Sequence, residues 1–240
     1  MKINIVKRKN VTPPERAEMY SIFSRYYDNV EHSRFENDLE RKTWIIQLRN
    51  HDQRIVGFST LLTYEHSGSS GPAVIIYSGD TIIDSPYRLN GSLAGAFGHF
   101  LLRTIEEHRN TSVYWLLTTK GVRTYRFLPV FFKDFFPVFD QQTPDNIKLL
   151  IDEVAEKKFG TNYSPDTQVV SHHGKRDRLS VSEHDPLLLK RSDPHIDYFV
   201  QKNPGYNNGD ELVCLTEMSE KNLNSRGWRV IKHTEVQWYE

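Results

Sequence analysis

Three places along the chain carry residues whose type and spacing could do chemistry. The first is "DSPYRLNGSLAGAFGHFLLRTIEEH", Asp84 to His108, which follows the apolar run "AVIIYSGDTII". Gly91, Ala94, Gly95, Ala96 and Gly98 crowd the start of an amphipathic helix. Glycine costs about 1 kcal/mol against alanine inside a helix. Either a ligand approaches the backbone here or a neighbouring element packs against it. A helix N-terminus leaves N–H groups without partners and carries the positive end of the dipole, which suits an anion. The second place is Asp80, behind Gly79 in the middle of the strand. A glycine there marks a bulge or a close backbone approach. A carboxylate buried beside it would have its pKa raised towards the range of a general base. Asp84 and Glu65, at strand ends, are the other carboxylates considered, and backbone N–H groups around Ser78 to Asp80 would face a developing oxyanion. The third place is "TTKGVRTYRFLP", which presents Tyr125. Its hydroxyl either donates a proton in catalysis or serves a ring packed in the core.

Other reactive side chains form no recognised pattern. His172 and His173 are adjacent, so their side chains diverge. His184, Asp185, Asp193, His195 and Asp197 lack metal-ligand spacing, and Cys214 has no cysteine partner. No metal is expected. "ELVCL" sets Cys214 in an apolar strand, as an inert buried thiol. The segment "FLPVFFKDFFPVF" holds six phenylalanines, which read either as core or as an apolar channel.

The elements that must position these residues follow from periodicity and punctuation. "INIV" predicts a strand, and "TPPERAEMYSIFSRYYDNV" a helix capped by Thr12. "SRFENDLERK" predicts a second helix, capped by Ser33. "TWIIQLRN" and "RIVGFSTLLTYEH" predict a hairpin through "HDQ". "TSVYWLLTT" predicts a strand buried on both faces, followed by a short helix from about Val122 that stops near Pro129. "TPDNIKLLIDEVAEKKFG" predicts a helix capped by Thr143 and ended by Gly160. The first 140 residues thus read β-α-α-β-β-β-α-β-α, an α+β fold with a mixed, mostly antiparallel sheet flanked by helices. Residues 141–240 have few apolar runs and predict an α/β extension docked on 1–140.

This order, with a glycine-bearing turn between a bulged strand and a helix, resembles the GNAT superfamily of N-acyltransferases over roughly the first 140 residues. The resemblance implies a strand splayed from its neighbour, with the pantetheine arm of acyl-coenzyme A in the gap. It implies a pyrophosphate turn of the form Q/R-x-x-G-x-G/A, here Arg88, Leu89, Asn90, Gly91, Ser92 and Leu93. Arg88 and Gly91 fit. Leu93 departs, and small residues come one step later at Ala94 and Gly95. The resemblance implies Tyr125 as the acid that protonates the leaving thiolate, and the bulged strand offers Asp80 as the base. The implied activity is acyl transfer from acyl-coenzyme A, or from an acyl-carrier protein, to a small amine or related nucleophile. The alternative is a GNAT-like module that binds a ligand or partner without catalysis.

Bulk properties bound these readings. The chain has 240 residues, a formal net charge of zero and one cysteine. A chain of this length can bury a core without disulfide or metal staples. Neutral charge and the lack of a basic stripe argue against nucleic-acid or membrane-surface binding. The single cysteine and the absence of an apolar signal core predict a cytoplasmic protein. Oligomeric state is left open.

Overall fold

The computed structural model describes residues 1–183 and 192–240, with the side chains of residues 89, 90 and 182 excepted. His184 and Asp185 lie outside the described residues. The chain opens with β1 (Lys2–Lys7), α1 (Pro13–Tyr26), a short β2 (Tyr27–Asp28) and α2 (His32–Glu40). Thr12 starts α1, and its N–H donates to Glu15 Oε2 at 2.7 Å, one arm of a capping box. The N-cap of α2 is Glu31, so Ser33 sits inside the helix and does not cap it. The hairpin β3 (Trp44–Arg49) and β4 (Ile55–Gly68) leads to β5 (Gly71–Ile83) and α3 (Ser92–Glu107). Then come β6 (Val113–Thr119), α4 (Val122–Tyr125), α5 (Phe127–Phe131) and α6 (Asp145–Phe159). Pro129 lies within α5 and does not end it, and α6 begins after Pro144 where Thr143 was expected to cap. Proline is tolerated in a first turn because that N–H has no helical acceptor anyway.

The remaining elements are β7 (Tyr163–Ser164), β8 (Val169–Val170), β9 (Arg178–Leu179), α7 (Pro194–Lys202), β10 (Glu211–Glu217), α8 (Ser225–Lys232) and β11 (Gln237–Tyr239). Of these, β9 pairs with β2 in a separate ribbon, while β7, β8, β10 and β11 join the same sheet as the first half. Its order is β11-β1-β3-β4-β5-β6-β10-β8-β7. Among the described residues only β1–β11 and β5–β6 pair in parallel. Residues beyond 140 therefore supply strands at both edges of the sheet.

Alternation along the strands builds a layer on each face. Val74 and Ile76 of β5 join a core with Phe100 and Leu101 of α3. Ile75 and Tyr77 face Ile151 and Val154 of α6, while Phe58 and Ile82 meet Met19 of α1 and Phe35 of α2. As its composition predicts, β6 is buried on both faces, with Trp115 and Leu117 on one side and Leu116 on the other.

The small residues of α3 serve packing. A Cβ on Gly95 would sit 2.6 Å from the Val230 carbonyl oxygen and collide with Thr234 Oγ1, and one on Gly98 would strike Ile231. Both glycines thus face α8 and the chain just after it, not the sheet. His99 Nε2 adds a 2.7 Å bond to the Thr234 carbonyl. No helix among the described residues is long and apolar enough to cross a membrane.

Candidate active site

β5 and β6 run side by side, in parallel, from Val74–Val113 to Ser78–Leu117. They then part, and the cause is local. Against β4, Ser59 pairs with Thr81 and Leu61 with Ser78, so Gly79 and Asp80 bulge opposite Thr60. The bulge expected at Gly79 is present. Its glycine is required by crowding: a Cβ there would lie 2.6 Å from Thr60 Oγ1 and 2.7 Å from Lys42 Nζ. Lys42 is buried, with only 2% of its side chain exposed, and pairs with Asp38 at 3.2 Å.

The parting opens two adjoining cavities. One, of about 220 Å³, is mostly apolar, with Ile82 and Ile83 on one wall and Val122 and Phe127 on the other. It reaches Arg88 and Leu93 of the glycine turn. The second, of about 150 Å³, is polar and holds Asp80, Lys120, Lys158, Asp177 and Glu211. Tyr27, Thr81, Lys120 and Leu179 line both. Tyr27 and Leu179 are themselves paired across the β2–β9 ribbon, which roofs the junction.

The turn is built as its residue types require. Asp84 accepts from Ser85 N at 3.2 Å, bonds the Tyr26 hydroxyl and pairs with Arg25 at 3.3 Å. These bonds commit Asp84 to structure and take it out of contention as a base. Gly91 has φ +66°, the left-handed conformation that glycine adopts without strain, and α3 starts at the next residue. Arg88 donates from Nε to the Ile83 carbonyl at 2.8 Å and pairs with Glu183 at 2.7 Å. Leu93, at the position that departs from the Q/R-x-x-G-x-G/A pattern, is 3% exposed and forms part of the apolar wall.

Asp80 is half-buried in the polar cavity. Burial pushes its carboxyl up to about 7; Lys42 and Lys120 oppose the rise, while Asp38 and Asp177 add to it. Lys120 donates to Asp177 Oδ2 at 2.8 Å and lies 3.6 Å from Glu211. Burial works against its charge, but Glu211 and Asp177 more than offset that and hold it well above the ordinary lysine value. Glu211 is half-buried, and burial opposes its charge, yet Lys120 and His172 bring it down to about 2.

Tyr125 is elsewhere. It is fully buried, its hydroxyl donates to the Pro137 carbonyl at 3.0 Å, and it lines neither cavity. Its ring packs against Phe135 and Phe199, away from the slot that Val122 and Thr124 of the same short helix line. Glu65 is exposed on β4 and lines neither cavity. Of the six phenylalanines in the aromatic segment only Phe127 borders the slot. Phe132 and Phe135 are core, so the segment as a whole is packing and not a channel. Cys214 is buried, and burial pushes its thiol up. No group of three or more His, Cys, Asp or Glu among the described residues is arranged to hold a metal ion.

Sequence reasoning missed Tyr27, Lys42, Lys120, Lys158 and Glu211. Lys120 carried a signal, since it ends a buried strand just before a glycine. The others reach the site only through long-range folding.

No family model matches the chain, and no curated protein does. Solved structures do. A conserved Enterococcus faecalis protein of unknown function, described as a probable N-acyltransferase, matches at 14% identity and TM-score 0.41, over 53% of this chain and 32% of its own. The Escherichia coli GNAT family N-acetyltransferase YhbS, in complex with CoA, matches at 14% identity and TM-score 0.38, over 52% and 66%. Tetrahymena GCN5 matches at 12% identity and TM-score 0.43, over 60% and 84%. The chain thus spans less than two thirds of the length of the first two. In this chain the antiparallel run of β1, β3, β4 and β5 is followed by a parallel β5–β6 pair that parts beside a helix N-terminus.

Proposed function

We propose that the protein transfers an acyl group from acyl-coenzyme A to a small amine. The observation that carries this reading is the parting of β5 and β6 beyond Ser78, which joins an apolar slot at the glycine turn to a polar cavity holding Asp80. The thioester supplies an activated carbonyl. The N–H groups at the start of α3, after Gly91, suit the donor's pyrophosphate, and Arg88 lies beside them once Glu183 gives way.

Asp80 is the base. With its carboxyl near 7, a large fraction is ionised at neutral pH and still basic enough to take a proton from the attacking ammonium. Gly79 and Asp80 lie beyond the last β6 pair and are skipped by the β4 ladder, so their N–H groups are suited to the oxyanion. The C–N bond forms and the C–S bond breaks. The thiolate takes a proton from Tyr27, the tyrosine that lines both cavities. Burial raises its hydroxyl above the ordinary value, so it is protonated at neutral pH. This role replaces the one expected of Tyr125.

Calorimetric titration with coenzyme A and acetyl-coenzyme A, followed by thiol release in the presence of candidate amines, tests the proposal. Binding with thiol release that depends on an amine supports it. Absence of binding to any acyl-coenzyme A would overturn it. Binding without turnover would favour the non-catalytic module, a reading that the Arg88–Glu183 pair supports by occupying the turn's cation.

A further inference from the structure

Several basic side chains that line the polar cavity have no carboxylate partner of their own among the described residues. Lys120 is taken by Asp177 and Glu211, His172 also pairs with Glu211, and Asp38 pairs with Lys42. That leaves Arg41, Lys158 and Arg176. All three line the cavity, and none forms an ion pair with a carboxylate among the described residues. They come from three separate segments: the end of α2, the last turn of α6 and the loop before β9.

Lys158 is the most telling. It is half-buried, and its Nζ lies over the Tyr77 ring at 3.8 Å. Burial, with Lys42 and Arg41 nearby, lowers it to about 8, and Asp38 and Glu211 compensate only in part. A half-buried ammonium without a bonded anion is costly, and three cations around one cavity repel each other. A bound anion removes that cost. Arg41 is exposed at the rim and Arg176 half-buried, so the cationic wall is open to solvent on one side. Asp80 borders the same cavity and forms no ion pair among the described residues.

We infer that the acceptor is a small amine whose other end carries an anionic group, a phosphate or a carboxylate. This rests on the acyl-transfer reading for the amine, but the anion subsite stands on the three cations alone. In this arrangement the anion seats on Lys158, Arg176 and Arg41 while the ammonium turns to Asp80. Bound this way, the acceptor's two ends complement opposite charges, which fixes orientation as well as affinity. Three positive charges favour a dianionic phosphate over a carboxylate.

The test uses the full chain and three probes of similar size: phosphoethanolamine, β-alanine and ethanolamine. Each is titrated calorimetrically into the free protein and then supplied as acceptor with acetyl-coenzyme A. The expected order of affinity is phosphoethanolamine, β-alanine, ethanolamine, with at least a tenfold gap between the first and last. Lys158→Met and Arg176→Gln should each weaken phosphoethanolamine about tenfold or more and leave ethanolamine and coenzyme A affinity unchanged. Arg176 is on a loop, so its variant keeps the test open if Lys158→Met fails to fold. Equal affinity for the three probes would overturn the inference. So would variants that lose coenzyme A instead, because the cations would then serve the donor's phosphates. Anion-selective binding without acyl transfer would uphold the subsite and sink the acyltransferase reading.

Discussion

Replacing Asp80 with asparagine should separate catalysis from stability, in opposite directions. The Asp80 carboxyl is raised from its ordinary 3.8 to about 7, chiefly by burial. A raised carboxyl pKa means that the folded state holds the proton more tightly than the unfolded chain. The fold therefore carries no penalty below about pH 4, and a growing one as pH climbs towards 7. Above 7 the penalty is complete. At 1.36 kcal/mol for each tenfold shift its ceiling is about 4 kcal/mol. The side chain is partly solvated, so roughly 1–2 kcal/mol is the reasonable expectation. Asparagine keeps the shape and cannot ionise. Asp80→Asn should thus melt several degrees higher than the parent at pH 8, given about 2–4 °C for each kcal/mol in a chain of this size, and within a degree of it at pH 4. Turnover should fall about 10²–10⁴-fold. The parent's kcat/KM should rise with pH through about 7, and the variant's should lose that step. Melting by calorimetry at both pH values and thiol release across pH 5.5–8.5 read both effects. A variant no more stable at pH 8 than at pH 4, relative to the parent, would refute the buried-carboxyl argument. An unchanged rate would remove Asp80 as the base.

Three further outcomes are expected. Glu183→Gln should free Arg88 from its 2.7 Å partner and tighten coenzyme A binding several-fold by calorimetry, whereas Arg88→Ala should weaken it. Gly95→Ala should destabilise the protein by about 1–3 kcal/mol in urea melts, the range for overpacking, because the added carbon lies 2.6 Å from the Val230 carbonyl oxygen. Tyr125→Phe should lower stability by about 1 kcal/mol through the lost bond to Pro137 and leave thiol release nearly intact; a 10²-fold loss of rate would restore Tyr125 as the acid.

Much of this protein was legible without coordinates, and what was legible was local. Apolar spacing set the strands and helices, because burial on one face selects period 2 or 3.6 within a few residues. Thr12 marked a helix start, and the structure adds its short-range bond to Glu15. Gly79 and Gly91 marked the bulge and the turn, since each is demanded by backbone geometry or crowding at that spot. Asp80 followed from the bulge. What the chain concealed were partnerships between distant segments. Gly95 and Gly98 are explained by α8 and by Thr234 two residues after it, more than a hundred residues later. Tyr125 could not be assigned until the Pro137 carbonyl was seen to take its hydroxyl. Lys120 meets Asp177 and Glu211 only because β10 pairs with β6 and the segment at β9 folds back onto β2. Side-chain charge is written in the sequence, but whether it is neutralised depends on which segments converge. That Arg41, Lys158 and Arg176 line the cavity of Asp80 without ion pairs of their own among the described residues is therefore a property of the tertiary structure alone.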